Sequence, residues 1–181
     1  MTDKSDRDLF DEVFLPNLAE AYRLAKWLTG SAADAEDVVQ DAALRAFRGI
    51  RGFGAVNARA WSLTIVRNAA YSWLLKNRSR NVVFTEDLSM PERQQLEQEG
   101  IYTAGNDTPE AIVLHKAEAA EVQQALDRLP APYREIIVLR ELHQLNYRDI
   151  AEIASIPIGT VMSRLSRARK LLMDELRDTA P

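Results

Sequence analysis

Apolar residues recur at spacings of three and four along most of this chain, and no stretch alternates them with polar ones as a half-buried strand would. In "ADAEDVVQDAALRAFRGI", Ala35, Val39, Ala42 and Ala46 fall on one line. In "ARAWSLTIVRNAAYSWLLKN", Trp61, Ile65 and Ala69 form a second line, flanked by Val66, Ala70 and Trp73. Large aromatics at helical spacing serve packing, which assigns Trp61 and Trp73 to the core. The period excludes a sheet and predicts an all-α fold. With 181 residues, 46% of them hydrophobic, the chain can build one ordinary domain or two small ones.

Punctuation divides the helices. A first helical block runs from about residue 8 to 28, broken at Pro16 and closed by Gly30. Ser31 followed by Asp34 reads as a capping box, and Asn57 is placed to cap the long helix after it. Glycines 49, 52 and 54 make a loop between these two helices. The stretch "SRNVVFTEDLSMPERQQLEQEGIYTAGNDTPE" is rich in turn formers and reads as a linker holding a short helix near 92–99. Pro109 restarts helix, Pro130 breaks it, and Pro132 opens "YREIIVLREL". The expected architecture is two small helical domains, 1–80 and 110–181, joined by a flexible acidic linker at 81–109, without repeats.

Charge is segregated along this plan. The net charge is −4, from 27 acidic and 23 basic residues, yet every charge from Ala42 through Thr85 is basic. From Glu86 to Glu110 seven acids face Arg93 alone, and "GTVMSRLSRARKLLM" near the end again carries no acid. With a Debye length of about 8 Å in physiological salt, a polyanion meeting either basic zone is screened from the distant carboxylates. The absence of cysteine removes disulfides, thiolate metal sites and a Cys nucleophile together. His115 and His143 stand without ligand spacing, and neither a P-loop nor Gly-x-Ser-x-Gly is present. No catalytic residue, metal or cofactor is expected. The acidic N-terminus lacks a signal-peptide layout, and no apolar run approaches the roughly 20 residues that cross a bilayer, so a soluble cytoplasmic protein is expected.

The basic C-terminal stretch has the anatomy of a helix-turn-helix. Asn146 and Asp149 cap a short helix bearing Ile150, Ala151 and Ala154; Ser155-Ile156-Pro157 turns the chain; Pro157 suits the start of a second helix. There Ile158, Val161, Leu165, Ala168 and Leu172 form a predicted buried stripe, opposite Thr160, Ser163, Arg164 and Arg167. Such a helix fits the major groove, where its first turns reach base edges and its later cations reach phosphates; the alternative for a lone basic helix is a solvated amphipathic helix with Arg for solubility.

Two faces stand out in the N-terminal part. Asp37, Gln40, Asp41 and Leu44 follow at i, i+3, i+4 and i+7, which suits either a protein-docking surface for a basic partner or an ordinary solvated face. Thr64, Arg67, Asn68, Tyr71 and Arg78 trace an outward line on the long helix, beside the glycine loop. Cations, an amide and an aromatic suit single-stranded bases, with Arg on phosphate and a pocket for a flipped base.

Taken in order, "DAEDVVQDAALRAF", "NARAWSLTIVRNAA", a variable acidic linker, "LPAPYREIIVLRE" and "YRDIAEIASIPIGTVMSRLSRARKLL" resemble bacterial RNA polymerase sigma factors of the extracytoplasmic-function group, within the sigma-70 superfamily. The resemblance implies an initiation subunit with no catalytic role, partnered by core RNA polymerase, by double- and single-stranded promoter DNA and by a cognate anti-sigma factor. It implies no membrane insertion and a monomer when free. It places polymerase docking on Asp37, Gln40, Asp41 and Leu44, and −10 element recognition and melting on Phe53, Asn57, Thr64, Arg67, Asn68, Tyr71, Lys76 and Arg78. It places −35 recognition on Thr160, Ser163, Arg164, Ser166, Arg167, Arg169 and Lys170. The acidic linker resembles the segment that passes through the polymerase's RNA path. Ser72 and Leu75 stand where relatives often carry Asp and Arg, and Met162 where some carry Arg. Two alternatives remain: a helix-turn-helix regulator acting without polymerase, and a sigma mimic that sequesters an anti-sigma factor.

Overall fold

The computed structural model describes residues 5–54, 57–77 and 120–178. The predicted linker, the short helix near 92–99, the restart at Pro109, His115 and Arg78 lie outside them. Among the described residues there are helices and turns but no strand, as the periodicity predicts.

Local sequence accounts for most boundaries. Helix α1 (Asp6–Val13) opens on a reciprocal capping box that the sequence reading missed: Asp8 N–H donates to Ser5 Oγ and Ser5 N–H to Asp8 Oδ2, both at 3.2 Å. Pro16 lies in a 3-10 turn, Leu15–Asn17, that joins α1 to α2 (Leu18–Thr29). Gly30, at φ 75°, ends α2 in the left-handed region where a glycine carries no Cβ penalty. Helix α3 (Ala32–Gly49) starts at Ser31, whose Oγ accepts from Asp34 N–H at 3.3 Å. Asn57 Oδ1 accepts from Ala60 N–H at 3.0 Å at the start of α4 (Ala58–Asn77).

The second half holds a helix at 120–128 (α5), then α6 (Ala131–Ile137), which continues into a π-helical turn over Val138–Leu142. Helices α7 (Tyr147–Ala154) and α8 (Ile158–Asp178) complete it. Helices α2, α3 and α4 pack on one another, and α8 packs on α6 and α7. The apolar core runs through both halves, from Phe14, Leu24, Leu28 and Leu63 to Ile136, Leu139, Ile150 and Leu165. Each such side chain contributes roughly 1.5–3 kcal/mol by leaving water. Trp61 and Trp73 pack against this core partly buried.

Two details of the predicted stripes differ. On α3 the fully buried line is Ala35, Val38, Ala42 and Ala46, with Val39 at its margin. On α8 Val161, Leu165 and Ala168 are buried, whereas Ile158 is exposed and Leu172 only partly covered. Ile158 sits in the first turn, ahead of the line at which α8 meets its neighbours.

Candidate nucleic-acid interface

The helix-turn-helix forms as its sequence predicts. Asn146 caps α7 by accepting from Asp149 N–H at 2.9 Å, and its amide donates to Asp149 Oδ2 at 2.9 Å. The exit from α7 is a Schellman turn: Ile156 N–H donates to Ala151 O at 3.0 Å and Ser155 N–H to Glu152 O at 3.2 Å. Ser155 takes the left-handed position, φ 55° and ψ 45°, that glycine usually fills. Pro157 O then accepts the first bonds of α8, from Thr160 and Val161 N–H.

On α8 the candidate −35 side chains lie together on the uncovered side. Ser166, Arg167 and Lys170 are exposed, while Thr160, Ser163 and Arg164 are half-buried at the edge. Ser163 Oγ donates back to Thr160 O at 3.1 Å. Arg169 is turned to Glu141, meeting its Oε1 at 3.1 Å from Nε and 2.6 Å from Nη2. Met162, 54% exposed, adds an apolar group beside Ser163 and Ser166.

Helix α3 presents Asp37, Gln40, Asp41 and Leu44 to solvent on one stripe. Asp41 pairs with Arg45 one turn on, at 2.7 Å, an exposed pair of small energetic weight. The stripe extends to Phe47, which sequence reasoning passed over although it stands at the next i+3 step; its ring, 44% exposed, meets Phe10 edge-on at 5.6 Å. Leu44 and Phe47 make the surface apolar as well as acidic.

The candidate −10 residues divide into an exposed and a covered set. Asn68 and Lys76 face solvent. Phe53 packs edge-on against Trp61 at 5.2 Å, and Asn57 is occupied as a helix cap. Thr64 Oγ1 donates to Ala60 O at 2.8 Å. Arg67 and Tyr71 turn to Glu135 of α6, a fully buried carboxylate. Arg67 Nε reaches Glu135 Oε1 at 2.5 Å and Nη2 reaches Oε2 at 3.3 Å, while Tyr71 donates its hydroxyl to Oε2 at 2.7 Å. The guanidinium also lies over the Tyr71 ring, 4.2 Å from its centroid. Burial, helped by the Glu135 charge, drives the Tyr71 phenol far above its ordinary value, so it stays protonated as a donor. Burial acts most strongly on Arg67 and would lower it, but the hydrogen bond and charge of Glu135, with Tyr71, together outweigh it and hold the guanidinium charged.

A second polar cluster ties α2 and α4 to the turn after α6. Arg59 donates to both Glu20 oxygens, at 2.8 and 2.5 Å, and to His143 O at 2.6 Å. His143 Nδ1 lies 2.9 Å from Glu20 Oε1. Burial acts to raise the Glu20 pKa, but the bonds from Arg59 and His143 pull it below the usual carboxylate value. His143 is pushed down by burial against the pull of Glu20, which favours the neutral ring donating from Nδ1. Its buried Nε2 meets no hydrogen-bond partner among the described residues. Neither Glu135 nor the Glu20–Arg59–His143 set carries a sequence signal, because each joins residues far apart in the chain. Groups of three or more His, Cys, Asp or Glu able to hold a metal are absent among the described residues.

Among the described residues the geometry is all-helical, with a helix-turn-helix in one half and, in the other, an exposed acidic and apolar stripe on α3 beside the basic helix α4. Comparison with known proteins agrees. Sigma-70 region 2 matches residues 13–80, and sigma-70 region 4 matches residues 119–172. The sequence is 31% identical to the ECF RNA polymerase sigma factor SigW of Bacillus subtilis, over 97% of this chain and 92% of that one. It is 32% identical to the ECF RNA polymerase sigma-E factor of Escherichia coli, over 80% of this chain and 74% of that one. Among solved structures, the sigma factor RpoE of Bartonella quintana, crystallised with the anti-sigma factor NepR, superposes with a TM-score of 0.67 at 30% identity, covering 96% of this chain and 99% of that one. CnrH, solved with the cytosolic domain of CnrY, shares the fold, with a TM-score of 0.64 at 20% identity over 94% of this chain and 89% of that one. The chain belongs to the extracytoplasmic-function RNA polymerase sigma factors of the sigma-70 family. That family consists of transcription initiation factors rather than enzymes.

Proposed function

We propose that this sigma factor directs core RNA polymerase to promoters by dividing the work among three faces. Asp37, Gln40, Asp41 and Leu44, extended by Phe47, dock on the polymerase. Helix α4 and the loop before it, in a unit spanning 1–80, read and open the −10 element. Helix α8, in a unit spanning 110–181, reads the −35 element. The linker at 81–109 tethers the readers. Supporting this division most directly is the placement on one chain of a solvent-facing acidic and apolar stripe on α3 and an exposed basic face on α8 behind a Schellman turn. A lone helix-turn-helix covers roughly 600–1,000 Å² of protein surface, too little for high selectivity. Holding two readers on one polymerase makes the second contact intramolecular. By likeness to the Bartonella protein, a cognate anti-sigma factor is a further partner. No described helix is long and apolar enough to cross a membrane, which accords with action in the cytoplasm.

Run-off transcription on a genomic fragment library tests this reading. Core polymerase with the added chain is expected to yield discrete transcripts sharing two spaced motifs. No initiation above core alone would overturn it, and DNA retention without initiation would point to a polymerase-independent regulator. Within that assay Arg167→Ala is expected to cost about 1–3 kcal/mol at one −35 base pair if Arg167 reads a base. A uniform loss on all sequences, with a shallower salt dependence, would instead make it a phosphate contact.

A further inference from the structure

The first two turns of α8 hold two features that the packing of the chain does not call for. Met162 is 54% exposed and Ile158, one turn before it, 45% exposed, although Val161, Leu165 and Ala168 of the same helix are buried. Four residues apart, the two apolar side chains share one flank of α8. Gly159 follows Ile158, and a Cβ built on it would meet nothing within 4 Å. Its backbone is ordinary helix, where glycine is disfavoured against alanine. Neither conformation nor packing therefore accounts for a glycine at this position.

Both features sit where a helix-turn-helix meets the major groove, whose base edges are reached by the opening turns of the second helix. Gly159 stands three and four residues before Met162 and Ser163, so these are the side chains it neighbours on the helix surface. With no side chain at 159, the helix can come closer to a duplex and bring that pair against the bases.

Chemistry narrows what Met162 can meet there. Ser163, Ser166 and Arg167 on this side of α8 carry hydrogen-bonding groups, suited to polar base edges and phosphates. A thioether chain offers no donor and only a weak acceptor. Among the base edges of the major groove the sole apolar group is the C5-methyl of thymine. Against any other base, Met162 would cover a donor or acceptor without replacing its water, an unfavourable exchange. Its three rotatable bonds let the side chain settle on a methyl group without a fixed angle of approach. A lone exposed apolar side chain is ordinary on most surfaces, but this one occupies the face on which the fold gathers base-reading groups.

We propose that Met162, with Ile158 beside it and room given by Gly159, selects an A·T pair in the −35 element by resting on the thymine methyl. The inference rests on the assignment of α8 to −35 reading and adds the identity of one base pair.

The test uses polymerase holoenzyme and promoter duplexes recovered by run-off transcription. Each thymine of the −35 element, on either strand, is replaced singly by deoxyuridine, which pairs identically and lacks only the methyl. At one position the swap is expected to weaken holoenzyme binding about fourfold, the ratio expected for one buried methyl group. Met162→Ala should weaken binding to the thymine duplex by at least as much and be indifferent to the swap at that position. Gly159→Ala should bring the thymine and deoxyuridine duplexes towards a common affinity. Both residues are exposed, so the variants are expected to keep their helix content by far-UV circular dichroism.

Unchanged binding at every swapped thymine would overturn the proposal. So would full sensitivity retained in Met162→Ala, or a −35 element without an A·T pair; full sensitivity in Gly159→Ala would remove the glycine from it. The underlying assignment is read separately, from duplexes with the whole −35 element scrambled. A large loss there, with no effect of deoxyuridine, leaves α8 as the reader and removes the methyl contact. No loss on scrambling removes the assignment itself.

Discussion

Phe14→Ala is expected to destabilise the N-terminal unit by about 3–5 kcal/mol, the range for deleting a fully buried aromatic ring. Phe14 has no exposed surface and closes α1, its N–H bonded to Phe10 O at 2.9 Å. Its ring stacks on Phe10 at 5.2 Å, and Phe10 in turn supports Phe47 on the α3 stripe. Alanine would leave a cavity where α1 and the 3-10 turn meet the core. Since domains of this kind are stable by only about 5–15 kcal/mol, the loss is a large share of the total. Urea unfolding should show a lower midpoint with an unchanged slope. A midpoint shift worth less than about 1 kcal/mol would mean that the ring is not a keystone of the fold.

Asp41→Lys should leave stability within about 0.5 kcal/mol of the parent and yet abolish capture of core polymerase. Asp41 is half-exposed, and its pairing with Arg45 is a surface contact between neighbouring turns, so its removal costs the fold little. Against a basic docking partner the effect is far larger. An attraction becomes a repulsion at the centre of a stripe that also carries Leu44 and Phe47, and like-charge juxtaposition across an interface costs several kcal/mol. Affinity co-purification with core enzyme, beside a matched thermal melt, makes the comparison. Undiminished co-purification of a folded D41K chain would remove the docking role from this face.

The helix-turn-helix was legible almost to the residue. Its cap at Asn146, its turn at Ser155 and its buried Val161, Leu165 and Ala168 depend on neighbours within one or two turns, and local side-chain chemistry decides them. The outward stripe on α3 was legible for the same reason, although Phe47 was missed because an aromatic in a helix is read first as core. Ile158 was misread in the opposite direction, since periodicity cannot say how far along a helix its neighbours reach. The outward line of α4 was only half legible. Thr64, Arg67, Asn68 and Tyr71 share a side of the helix, but Arg67 and Tyr71 are covered by Glu135 while Asn68 stays open.

What the residues alone settle here are quantities that vary over a few positions: helical period, caps, breaks, and the sign of charge on each face. They suffice for an all-α chain with two basic zones and an acidic stripe. Which of those charges meets solvent depends on pairs such as Arg67 with Glu135 and Glu20 with His143, separated by 68 and 123 residues. No local pattern encodes such a meeting, because a buried carboxylate and a surface one are the same letter until packing removes the water around one of them.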